Sequence, residues 1–167
     1  LPLLKRELAA DVALDVLFGP ASEFYSKTYE KGLIDQESFD WDVYVEPEFG
    51  HCLIGGDADR PEQLEEAIVG NLRKAISRGL PEVDFSRAKR KALGNLIEQF
   101  NDVDGCTSLM HSAVSRGGTP VDFFAAHTLL TLDDVLECIG TWLHPDHYAL
   151  SLVEPRRDVE VGIRRVD

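Results

Sequence analysis

The sequence predicts an α+β domain in which helices cover an antiparallel or mixed sheet. Apolar residues recur every three to four positions through most of the chain, which is the helical period. Between Phe39 and Ile54 the period changes to two, the mark of half-buried strands. A second alternating stretch, Tyr148 to Val153, lies far downstream. The order helix, helix, hairpin, helices, strand is that of an α+β fold.

Leu1, Leu4, Leu8, Val12 and Val16 open a long helix, and from Ala9 onward nearly every face is apolar. Its second half is therefore expected to be buried, packed across a sheet. Gly19-Pro20 breaks it, because proline cannot continue a helix. Ser22 then caps a short helix whose Phe24, Tyr25, Thr28 and Tyr29 share a face. Gly32 supplies the left-handed position that ends this helix, and Leu33 folds back onto it.

Phe39, Trp41, Val43 and Val45 alternate with Asp40, Asp42, Tyr44 and Glu46 in a first strand. Pro47-Glu48 makes the turn, and Phe49 to Ile54 forms a second strand ending at Gly55-Gly56. So short a link makes the pair antiparallel. Asp59, with Glu62 three residues on, is expected to cap a helix bearing Leu64, Ala67, Ile68, Leu72, Ala75 and Ile76. Gly79 stops it, and Pro81 opens a helix that turns Phe85, Ala88, Ala92, Leu96 and Phe100 inward. A further helix spans roughly Cys106 to Arg116 before Gly117-Gly118. Thr119 with Pro120, and Thr131 with Asp133 and Asp134 in its first turn, start two more. Tyr148 to Val153 reads as a closing strand. Residues 1–155 are assigned to the domain and 156–167 to a charged tail. A hairpin plus one distant strand is not a complete sheet. The domain is therefore expected to lack a leading strand or to borrow an edge from a partner.

The chain has 167 residues, enough for one domain, and it is 44% apolar, enough for a core. It begins at Leu1 directly in helical pattern, and we expect a fragment of something larger. A net charge of −13 argues against a nucleic-acid or anionic-membrane partner, because phosphate contacts need clustered cations. No apolar run is long enough to span a bilayer. Cys52, Cys106 and Cys138 are odd in number and far apart, and read as reduced thiols of a cytoplasmic protein.

Chemistry is sparse. Neither His-x-x-Glu-His nor His-Glu-x-x-His occurs, so no helix presents two imidazoles beside a general-base glutamate. In His144-Pro145-Asp146-His147 the proline breaks the helix that would align the rings. There is no Gly-x-Ser-x-Gly elbow, and His51 and Cys52 point to opposite faces of a strand. No catalytic and no metal-binding residue is therefore assigned. Arg87, Lys89, Arg90 and Lys91 stand out against the acidic background. A solvated helix surface explains them, and so does a docking patch for an acidic partner.

Three runs resemble one family. They are Leu17-Phe18-Gly19-Pro20-Ala21-Ser22-Glu23-Phe24-Tyr25, Tyr29-Glu30-Lys31-Gly32-Leu33-Ile34, and Phe49 to Gly56. With Thr131-Leu132-Asp133-Asp134-Val135 and the Tyr148 to Val153 stretch, they are similar to the insulinase/pitrilysin zinc metallopeptidases, nearest the C-terminal half of bacterial members. The resemblance implies a metallopeptidase-like domain truncated at its leading strand. It also implies a longer protein of two homologous halves closing over a peptide substrate. Zinc is expected in the N-terminal half and no cofactor in this chain. Many relatives lend an arginine and a tyrosine from this half to grip substrate. Tyr29 and Asp35 stand at those positions here, and both depart from the pattern. The rival reading is a catalytically silent pseudo-peptidase whose halves form a binding or assembly module. A bare sheet edge would also allow a homodimer of the fragment.

Overall fold

The computed structural model describes residues 1–154. Pro155 and the charged tail assigned to 156–167 lie outside the described residues. The order of elements is α1 (Pro2–Phe18), α2 (Glu23–Glu30), β1 (Asp40–Val45), β2 (Gly50–Gly55), α3 (Pro61–Arg78) and α4 (Glu82–Glu98). A short 3-10 turn (Gln99–Asn101) leads to α5 (Val103–Ser115), α6 (Pro120–Leu129) and α7 (Leu132–Thr141). Mixed helix and antiparallel sheet bear out the predicted α+β class.

Helix α1 is the axis of the fold. It packs against α4, α6, α7 and β1, which is why Ala10, Val12, Ala13, Leu14, Leu17 and Phe18 are all buried. Its exit is shaped by Gly19. A Cβ there would collide with the Asp15 carbonyl, and the Gly19 N–H donates to that same oxygen at 3.0 Å. Ser22 caps α2, its hydroxyl accepting from the Tyr25 N–H at 3.0 Å. Phe24 meets Phe18 edge-on at 4.9 Å and Phe39 at 5.9 Å, tying α1, α2 and the hairpin entrance into one aromatic cluster. Gly32 has φ 61°, the Leu33 N–H reaches the Thr28 carbonyl, and the Gly32 N–H reaches that of Tyr29. This is the glycine-terminated helix end the sequence predicts.

The hairpin pairs β1 with β2 antiparallel, from Asp40 opposite Gly55 to Val45 opposite Gly50. Trp41, Val43 and Val45 turn inward and Asp40, Asp42 and Tyr44 outward or partly so, as the alternation requires. The two threonine caps read from the sequence form, and each is part of a capping box the sequence reading did not name. Thr119 with Asp122 opens α6, and Thr131 with Asp134 opens α7.

Three expectations are corrected. Residues 148–153 form no strand. They have the alternating side chains of one, but no backbone ladder reaches them, so the described sheet has two strands rather than three. Arg60 rather than Asp59 is the N-cap of α3, without a side-chain cap bond, because Pro61 sets the first helical position. The Arg60 side chain instead donates to the carbonyls of Lys31 and Gly32 and so closes the end of α2. Phe100 does not turn inward. It falls in the 3-10 turn and lies 43% exposed, stacked on Phe124.

Candidate functional site

Two regions gather polar groups. On α1, Glu7, Asp11 and Asp15 recur at every fourth residue and so share one face. That face is half covered, and cations from distant elements meet it. Arg87 of α4 reaches the Asp15 carboxylate at 3.2 Å and Lys91 reaches its other oxygen. Asp15 itself is buried. Arg116 pairs with Glu7 at 3.0 Å. Burial raises the Glu7 carboxyl above its usual range, with Arg116 opposing and Asp11 adding to the rise. Burial raises Asp11 likewise, against the Trp41 indole. His127, buried beside this face, is held toward its neutral form by burial and by Lys89.

The basic cluster that stands out in the sequence is thus largely engaged within the fold. Arg87 and Lys91 hold Asp15, and Lys89 donates to the Leu130 carbonyl at 2.7 Å, where α6 gives way to α7. Arg90 is exposed. Asp15 was not singled out in the sequence, because its partners lie more than seventy residues away.

The second region is a cleft of about 790 Å³ between β2, α3 and the segment after α7. Its floor includes Ile68 and Leu72 of α3, Trp142 closes one end, and Tyr148 to Ser151 form the far wall. The Tyr148 hydroxyl donates to Glu65 at 2.5 Å, and Arg73 reaches Asp146 at 3.7 Å, so this wall is fastened to α3. Gly50 allows the Trp142 ring to approach; a Cβ there would stand 2.9 Å from it. Cys52 lies in the cleft with its thiol pushed up to about 11, chiefly by burial. Cys138 is pushed up to about 12 for the same reason. Neither thiol is a thiolate near neutral pH, so neither is an activated nucleophile. All three cysteines are free.

Tyr29 and Asp35 do not line this cleft. Tyr29 sits 52% exposed on α2, stacked on Tyr25 at 6.4 Å. Asp35 follows the helix end, exposed, with its carbonyl accepting from the Phe39 N–H. The residues present do not fit a zinc site. Among the described residues no three His, Cys, Asp or Glu side chains converge for a metal. The rings of His144 and His147 come within 5.2 Å, but His144 Nδ1 already accepts from the Asp146 N–H.

No family model matches the chain. Among curated proteins it is 31% identical over 154 residues to YmfH of Bacillus subtilis (strain 168), an uncharacterised zinc protease. The match takes in 92% of this chain and 36% of that protein. Among solved structures, one assigned as an M16-like peptidase of Alicyclobacillus acidocaldarius matches with a TM-score of 0.81 and 28% identity. It covers 87% of this chain and 35% of the other. A structure described as the inactive peptidase domain of an assigned zinc protease from Bordetella parapertussis shares the fold, with a TM-score of 0.67 and 17% identity. It covers 95% and 91% of the two chains. The chain therefore spans about a third of the length of the first relatives it matches. Sequence and fold together make it similar to part of an M16-like zinc peptidase.

Proposed function

We propose that this domain is the non-catalytic half of a zinc metalloendopeptidase and forms part of the wall of its peptide-binding chamber. The observation that carries the reading is the match over nearly all of this chain to about a third of a zinc protease. The sequence lacks the helical two-histidine motif that would hold the metal, which supports assigning zinc to the remainder of such a polypeptide. A homologous N-terminal half is then the partner, and peptide the substrate. This chain's share of the work is binding and positioning. Tyr29 is the candidate for substrate contact with Asp35, and Arg90, the exposed member of the basic cluster, is the candidate for docking. The free thiols suit a cytoplasmic setting, and no helix among the described residues is long and apolar enough to cross a membrane.

The test is peptide cleavage by the intact protein before and after chelation, on a library of unstructured peptides. Cleavage that chelation abolishes and zinc restores is the expected result. An intact protein that cleaves nothing would replace this reading with that of a silent pseudo-peptidase acting as a binding module.

A further inference from the structure

We propose that the cavity flanked by α1, β1, α4, α5 and α6 is a pocket for an alkylammonium or alkylguanidinium group, the side chain of a lysine or arginine in a bound peptide. Taking that side chain from a peptide rests on the functional reading above. The cation chemistry rests on the cavity alone.

The cavity holds about 500 Å³, an ordinary volume for a small-ligand site. Three carboxylates line it. Glu7 and Asp11 stand one turn apart on α1, and Asp42 faces them, exposed, from β1. Burial dominates the rise of the Glu7 carboxyl and Arg116 opposes it, but Asp11, Glu46 and Asp42 all add to it as like charges. Among the described residues no lysine or arginine lines the cavity. Arg116 reaches Glu7 Oε1 from outside it, and Lys91 is committed to Asp15. The cavity therefore carries surplus negative charge.

A second observation calls for a ligand that donates hydrogen bonds. His127 of α6 is only 7% exposed and lines the same cavity, and its Nδ1 has no partner among the described residues. Burial and Lys89 hold this ring toward its neutral form, in which one nitrogen is an acceptor. Glu7 Oε2 is also buried without a partner. Buried polar atoms left unpaired are costly, and a cation with several N–H donors would relieve them.

The setting favours an organic cation over a metal ion. Among the described residues no three His, Cys, Asp or Glu groups converge as a coordination sphere requires. The acceptors are instead spread around apolar walls that include Leu8, Leu96 and Leu109. An alkyl stem packs against such walls while its charged end meets the carboxylates. Lysine and arginine side chains have that form.

Titration calorimetry on the intact protein tests this, with an acetylated Ala-Lys-Ala amide, its norleucine counterpart and n-butylammonium as probes. The lysine peptide should bind roughly 10-fold or more tightly than the norleucine peptide, the worth of a charge-assisted hydrogen bond. Asp11→Asn should remove most of that preference in a protein at least as stable as the parent near neutral pH. Glu23→Gln changes the net charge equally but lies on α2, outside the cavity, and should leave the preference intact. Equal binding of the two peptides would overturn the proposal. So would an equal loss in both variants, which marks attraction by the overall negative charge. Butylammonium that binds as tightly as the lysine peptide would overturn the peptide as source. The readout is independent of catalysis. A lysine preference in a protein without zinc or cleavage would keep this inference and remove the functional reading, and chelator-sensitive cleavage without that preference would do the opposite.

Discussion

Asp15 shows how a single residue holds distant parts of this chain together. Its buried carboxylate receives Arg87 and Lys91 from α4, and its carbonyl receives Gly19 at the end of α1. Removing the carboxylate leaves two cations facing an apolar interior. Because both are partly exposed, solvent offsets some of the loss. Asp15→Ala should cost about 2–3 kcal/mol of unfolding free energy, read by denaturant titration. Asp11 should behave in the opposite way. Its folded carboxyl binds protons more tightly than the unfolded one, so the charged form opposes folding at neutral pH. The folded state gains as pH falls through the raised value toward the ordinary 3.8. Asp11→Asn should therefore be more stable than the parent near about pH 7, with a flatter pH profile between the ordinary 3.8 and the raised value. Glu23 has the other sign. Lys27 and Lys74 hold it down to about 2, so its contribution is present above the ordinary 4.5 and is lost progressively as pH falls from there through about 2.

At the scale of elements, the helix starts and stops were the most legible part of the sequence. Thr131 and Asp134 satisfy each other's orphan groups within four residues, and no distant contact is needed to see it. Thr131→Ala should destabilise the domain by about 1 kcal/mol, measured by thermal melting, with the fold unchanged. Gly32 is comparable. Its φ of 61° disfavours any side chain, so Gly32→Ala should cost about 1 kcal/mol in the same assay. The closing strand was misread for a physical reason. Alternation reports which faces a segment could present, whereas a strand also needs a neighbour's backbone, and none of the described residues supplies one to Tyr148–Val153. The cap of α3 went wrong because Pro61 outranked the nearby Asp59 as a start signal.

For the whole molecule, the core was readable and the site was not. The inward faces of α1 and the hairpin follow from periodicity alone. The grouping of Asp15 with Arg87 and Lys91, or of Tyr148 with Glu65, joins residues far apart in the chain and carries no local signal. The basic cluster looked like a surface patch because sequence cannot show that a buried carboxylate lies opposite it. Resemblance reached further than spacing did. It placed the chain among insulinase-type domains, which the comparisons bear out, and it implied zinc in a part of the polypeptide beyond this one.

Elemental analysis of the intact, purified protein should find about one zinc per polypeptide, the stoichiometry of a single tetrahedral catalytic site. Residues 1–167 expressed alone should retain none after dialysis. Zinc held by this chain alone, or none in the intact protein, would contradict the division of labour proposed for the two halves.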